Sequence, residues 1–323
     1  MKKLLLILLI LPLISFAQLA SNWQEYYHLD AGYRQAERVV QSAEDDKKKN
    51  DADPAVKPVD ITRSIEAVTE AKAKLLLTGL TATETALTAV GDVLAGRLKV
   101  KSEAERVEQT KMDLNVAEIK KDKGAASDIE LAKAKQKYYD AMNSADIAKR
   151  ELKSAETRVK MFVTNVPDAL PEPVVIDVAK LSYLTHANYI TAQNKINEAD
   201  RIVAISSGPD TTAIDKVNRE RDLQNAKDAM GDVEKTLRDG LDAAKRNYLN
   251  AQDSYQLTKD RLVLAQKDLN TAKERFNAGA ISKLALQSYI SAEMDYQLSV
   301  EQAKDSLWLA GIALLKASGG AGK

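Results

Sequence analysis

Apolar residues recur along this chain in steps of three and four. Leu131, Ala134, Tyr138, Ala141, Ala145, Ala148, Leu152, Ala155, Val159 and Phe162 form one ladder. Leu241, Ala244, Tyr248, Ala251, Tyr255, Thr258, Leu262, Ala265, Leu269, Ala272 and Phe276 form a second, with Thr258 its one polar member. A mean period of about 3.5 held over several heptads predicts helices packed along left-handed coiled-coil seams. Small Ala at many steps allows close helix approach and leaves less apolar area per contact.

Proline divides the chain in the same sense. Pro54 and Pro58 mark one break, Pro167, Pro171 and Pro173 a second, and Pro209 a third. Between Pro58 and Pro167, and after Pro209, there is none, as helix interiors require. Those stretches are rich in Ala, Leu, Lys, Glu and Gln, good helix formers. The reading is therefore all-α, with short helices over 19–44 and 177–205 and long ones over 60–123 and 215–278. Return helices run to 163 and 318.

The two halves read as tandem copies. A constant offset carries the first ladder onto Leu286, Tyr289, Glu293, Tyr296, Val300, Ala303, Leu307, Ala310, Leu314 and Ala317, where only Glu293 breaks the apolar face. It also carries Gly124-Ala125-Ala126-Ser127 onto Gly279-Ala280-Ile281-Ser282. Each of these tetrapeptides has the makings of a tight helical hairpin. Lys120, Lys121 and Lys123, or Lys273 and Arg275, set positive charge against the negative end of the long helix. Gly124 and Gly279 take the left-handed conformation that closes a helix. Ser127 and Ser282 cap the returning helices, and Glu130 completes a capping box with Ser127.

The first residues have a different character. Lys2 and Lys3, the apolar run 4–14 and Ser15-Phe16-Ala17 follow the order of a secretory leader. The expected organisation is a signal peptide at 1–17, one helical repeat at 18–165 with its tip at Gly124, and a second at 166–323 with its tip at Gly279. Beyond the leader no stretch approaches the ~20 apolar residues of a membrane helix. Leu307–Leu315 reads as the buried face of a helix end. Repeated ten-residue alternation, the mark of membrane strands, is also missing.

Composition narrows the chemistry. The chain has no Cys, which excludes disulfide, thiolate-metal and cysteine-nucleophile chemistry. Lys and Arg number 47 against 47 Asp and Glu, so no basic excess points to nucleic acid. His28 and His186 are too few for a metal site, and they read as surface or packing residues. Gly91 and Gly96 lack the strand and the Lys-Ser/Thr pair of a phosphate loop. Lys47, Lys48 and Lys49 among acids read as a solvated linker. No catalytic constellation, cofactor site or metal site emerges, and the chain is read as a non-enzyme.

Two repeats, each with a long helix, a glycine turn and a returning helix, resemble the TolC family of outer-membrane efflux proteins. The most similar passage is AKERFNAGAISKLALQSYISAEMDYQLSVEQAKDSLWLAGIALLKAS, residues 272–318, which looks like that family's C-terminal helical pair with its aromatic-x-x-Gly turn. The segment 121–162 resembles the first-repeat equivalent, with Lys121 in place of the turn's aromatic.

The resemblance implies a homotrimeric α-helical barrel, an exported periplasmic conduit for efflux or type I secretion-type transport. Its implied partners are a periplasmic adaptor (membrane fusion) protein and an inner-membrane transporter. The tip residues Gly124, Ala125, Ser127, Gly279, Ala280 and Ser282 would meet the adaptor. The family's acidic lumen rings would fall at Ala285 and Ser288, which carry no charge, with Glu130 and Glu293 as further lumen positions. Its β-hairpins would fall at 45–60 and 206–215, both short and polar here. The β-barrel strands are therefore expected to be absent, which leaves room for a separate outer-membrane component. Four long segments fit an antiparallel bundle equally well. An exported coiled-coil spacer, scaffold or holdase without a lumen is the alternative.

Overall fold

The structure is a computed structural model, described over residues 30–163, 165–205 and 211–320. Six long helices make up the described chain, and no strand occurs among the described residues. In order they are α1 (Ala31–Ala52), α2 (Pro58–Asp122), α3 (Asp128–Val159), α4 (Ala187–Ile205), α5 (Ala213–Asn277) and α6 (Lys283–Ala317). A single 3-10 turn, Val178–Lys180, precedes α4. The all-α expectation holds. At 65 residues each, α2 and α5 are about 97 Å long.

Contacts group the chain into two compact units. The first takes residues up to 85, 174–249 and those from 310 on; the second takes 86–173 and 250–309. In the second unit the predicted ladders are the buried stripes. Ala141, Ala145, Ala148, Ala155 and Val159 of α3 are buried, as are Tyr255, Ala265, Leu269 and Ala272 of α5. Leu87, Val90, Val93 and Leu94 of α2 and Leu307 and Trp308 of α6 are buried in the same unit. The first unit buries Leu80, Met230, Leu237, Leu241 and Tyr248 with Ile312, Leu314 and Leu315. The run Leu307–Leu315 is thus largely core, as its composition suggested.

A polar seam joins α2 and α4 in the first unit. Arg201 donates to Glu66 at 2.7 and 3.1 Å, and Asn197 donates to the same carboxylate at 2.8 Å. Asn194 reaches Glu70 at 3.0 Å, and Arg63 reaches Glu198 at 2.9 Å. Arg201 and Glu66 are 18% and 17% exposed, sheltered enough for the pair to resist screening.

Several boundaries differ from the sequence reading. The first helix does not stop at Glu44 but continues to Ala52, so Lys47–Lys49 lie on a helix and not in a linker. That turn has no apolar stripe; i,i+3 and i,i+4 ion pairs accompany it, Lys47 with Asp51, Lys48 with Asp45 and Lys49 with Asp46. The break contracts to a short turn in which the Asp53 carboxylate accepts the Ala55 N–H at 2.9 Å. The fourth helix starts at Ala187 and not at Asp177, behind the 3-10 turn capped by Asp177. The third ends at Val159, four residues early, because the chain then leaves in turns. The signal-peptide segment, His28, residues 19–29 of the first predicted helix and Pro209 lie outside the described residues.

The extended segment between α3 and α4 is held by side chains from α5 and α6. In the second unit Lys304 bonds the Leu170 carbonyl, Trp308 Nε1 donates to the Pro171 carbonyl at 3.0 Å, and the Tyr255 hydroxyl meets Glu172 at 2.9 Å. In the first unit Tyr248 binds the backbone of Val174 and Ile176. The segment has few backbone partners of its own, and these side chains supply them.

Candidate functional site

The two hairpin tips both belong to the second unit. At the end of α2, Gly124 has φ +71°, its N–H bonds the Lys121 carbonyl at 2.9 Å, and the Ala125 N–H bonds that of Lys120 at 2.7 Å. At the end of α5, Gly279 also has φ +71°, with its N–H on Phe276 at 2.9 Å and the Ala280 N–H on Arg275 at 2.8 Å. These are two Schellman turns of the same geometry. Nothing lies within 4 Å of a side chain built on either glycine, so glycine serves the backbone conformation there and not packing. Gly124, Ala125, Gly279 and Ala280 are all exposed.

Each tip restarts its helix with a serine. Ser127 Oγ accepts the Glu130 N–H at 3.2 Å, and Glu130 returns to the Ser127 N–H at 2.7 Å, a complete capping box. Those hydrogen bonds hold the Glu130 carboxyl below the usual glutamate range. Lys121 pairs with Asp128 across the turn at 2.8 Å. Ser282 accepts the Ala285 N–H at 3.1 Å, and Ala285, in place of a glutamate, leaves the second box incomplete.

The other singled-out residues fall along α6. Ser288 is exposed and donates to the Ala285 carbonyl at 2.7 Å. Glu293 is 9% exposed and accepts a hydrogen bond from Gln297, so the polar residue of the ladder is buried within the chain. Between α5 and α6 a shallow groove is lined by Arg261, Leu264, Asp268, Tyr289 and Tyr296. The tyrosines carry the ladder's pattern, and nothing in the sequence separated a groove wall from a core position.

Elsewhere, His186 sits just before α4, where its Nδ1 accepts the Asn188 N–H at 3.1 Å. Burial pushes its pKa down, which favours that neutral acceptor. Gly91 and Gly96 are packing glycines: a side chain at Gly91 would strike the Asp305 carboxyl, and one at Gly96 would press on Leu152. Gly319 repeats the turn geometry at the end of α6 with φ +70°, but it is buried against the His186 backbone. The terminal Gly-Gly pair was the available signal, and it was missed. No group of three or more metal-ligating side chains occurs among the described residues. No helix among them is long and apolar enough to cross a membrane.

No family model matches the chain. No curated protein matches its sequence either. Solved structures do. The chain superposes on CusC, described for its folding and transmembrane channel formation, with a TM-score of 0.64 at 14% identity, covering 94% of this chain and 96% of that one. The fold is TolC-like. The outer-membrane channel OprN matches this TolC-like fold with a TM-score of 0.61 at 14% identity, over 95% of this chain and 90% of its own. The CmeC outer membrane channel of Campylobacter jejuni gives 0.61 at 10% identity, over 93% and 86%. The likeness thus covers more than nine-tenths of the chain in each of the three comparisons.

Proposed function

We propose that this chain is a helical conduit component of an efflux or type I secretion-type transport assembly. The observation that carries the reading is the agreement in fold of nearly the whole chain with CusC, OprN and CmeC. On this reading two tandem repeats, 18–165 and 166–323, are exported behind the leader at 1–17. Three copies associate in the periplasm, peripheral to the outer membrane, with an adaptor and an inner-membrane transporter. A separate outer-membrane component completes the exit path. Mass photometry of the chain without residues 1–17 tests the assembly. A trimer supports the conduit, and a stable monomer supports the lumen-free spacer, scaffold or holdase.

The tips are the proposed adaptor contacts. Gly124, Ala125, Gly279 and Ala280 offer little side chain, which lets a partner helix approach the backbone, while Ser127 and Ser282 hold the turns in shape. Bulky replacements at Ala125 and Ala280, which need no positive φ, should abolish adaptor crosslinking. Crosslinking and transport that survive both changes would remove the contact role.

The lumen reading follows from charge. A ring of three carboxylates in a narrow pore attracts cations strongly, and Ala285 and Ser288 cannot form one. Glu130 is engaged in its capping box and Glu293 is paired with Gln297. A chimera carrying a β-barrel should therefore show no tight divalent-cation block in a planar bilayer. Strong block abolished by Glu130→Gln or Glu293→Gln would place the gate at those residues instead.

A further inference from the structure

In the second unit, α2 and α6 meet at Gly91 and Asp305. The approach is so close that a side-chain carbon on Gly91 would lie 2.5 to 2.9 Å from the Asp305 carboxyl atoms. Asp305 Oδ1 is fully sheltered and takes no hydrogen bond from the protein. One turn earlier on α6, Glu301 Oε1 is sheltered and unpartnered in the same way. Asp92, beside Gly91 on α2, adds a third carboxylate. An ionised carboxylate without partners is costly in such a place, and a neutral acid costs far less.

The positive groups nearby are committed elsewhere. On α3, Arg158 pairs with Asp92. On α6 itself, Lys304 bonds the Leu170 carbonyl and stands 3.8 Å from Glu172. On α5, Lys259 lies over the Tyr255 ring and 3.7 Å from Glu172, and the Tyr255 hydroxyl meets that same Glu172. None of these contacts is made to Asp305.

We propose that the Gly91–Asp305 contact is a proton-dependent lock, closed while the Asp305 carboxyl holds its proton and weakened once that proton leaves. Burial, and then the charges of Asp92 and Glu301, push the Asp305 pKa up to about 7. The opened seam returns this carboxyl to an ordinary aspartate value near 4. A group that binds its proton more tightly in the closed state stabilises that state at low pH. The stability declines as pH rises from about 4 and is lost by the time pH passes about 7. The lock would therefore respond between about pH 4 and pH 7, above the range in which the lowered carboxylates elsewhere respond. It requires no transport, so its failure would leave the proposed function untouched.

The absence of native cysteine gives a clean test. Leu94 of α2 is buried on the same helix face one turn from Gly91, and Leu94→Cys places a small thiol there in the full chain. Its labelling rate, corrected for the thiolate fraction at each pH, reports how often the seam opens. Protection should fall about tenfold between pH 6 and pH 8, and Asp305→Asn should make it pH-independent. Protection constant within twofold in the chain with Asp305, or an unchanged pH dependence in Asp305→Asn, would overturn the lock. Should Asp305→Asn fail to fold, the comparison of the two pH values with Asp305 in place decides the matter alone.

Discussion

The Tyr248 hydroxyl accepts the Ile176 N–H at 2.9 Å and donates to the Val174 carbonyl at 3.2 Å, so one side chain satisfies two backbone groups of an extended strap. Tyr248 is 2% exposed, and Ile176 also packs by Gly311 of α6. Removing only the oxygen would leave both backbone groups short of a partner. Tyr248→Phe should cost about 2 kcal/mol in urea unfolding. It should also raise hydrogen exchange at Ile176 above that of the surrounding helices.

Glycine substitutions should split by sign. Gly231 and Gly240 lie inside α5 with open space around them, so alanine there should stabilise by about 0.5–1 kcal/mol each. Gly124→Ala and Gly279→Ala should each destabilise by about 1 kcal/mol, because alanine is strained at positive φ. Gly91→Ala should cost about 1–3 kcal/mol through its clash with Asp305. Thermal midpoints of the five variants check the pattern, and a uniform sign would contradict it.

The α2–α4 seam should be acid-labile. The hydrogen bond from Arg201 holds the Glu66 carboxyl below the usual glutamate range, and the bond from Arg63 does the same for Glu198. A lowered folded-state pKa gives stability that is complete above the unfolded value of about 4.3 and is lost as pH falls through the folded one. Glu66→Gln should cost about 2 kcal/mol at pH 7 and progressively less toward pH 3. Denaturant titrations of both proteins at pH 7, 5 and 3 would measure the convergence.

The second tip can be improved. Ala285 stands where Glu130 closes the first capping box, so Ala285→Glu should complete the box around Ser282 and stabilise by about 0.5 kcal/mol. Ser127→Ala should cost about 1 kcal/mol. Guanidinium midpoints of the two variants should move in opposite directions.

What the sequence disclosed follows from which forces leave a periodic trace. The ladder from Leu131 to Val159 was legible because burial selects one face of a helix and repeats every turn. The tips were legible because a left-handed residue, a cation at the helix end and a serine cap each require a particular residue type. The last turns of α1 carry no apolar face; Lys47, Lys48 and Lys49 pair with acids on the same helix, and such pairing looks like a linker to any reading based on hydropathy. The clamps from Tyr248 and Trp308 to backbone carbonyls leave no spacing rule at all, since the partner is main chain far away in sequence. Glu293 looked like a fault in the apolar ladder, yet it is buried with Gln297 alongside it. The Asp305 contact was not legible: Gly91 reads only as lacking the context of a phosphate loop, and nothing local links it to Asp305, more than two hundred residues away in sequence.

The turns at Gly124 and Gly279 close on carbonyls of their own last helical turn, and nothing lies within 4 Å of a side chain built on either glycine. Each is therefore a self-sufficient cap, indifferent to its surroundings. Such an end can be exchanged between relatives, lengthened or made to display a foreign loop while the shaft below keeps its register. The buried turn at Gly319, walled in by His186, has no such freedom. Selection acting on the exposed ends could then change what they meet without first having to refold what carries them.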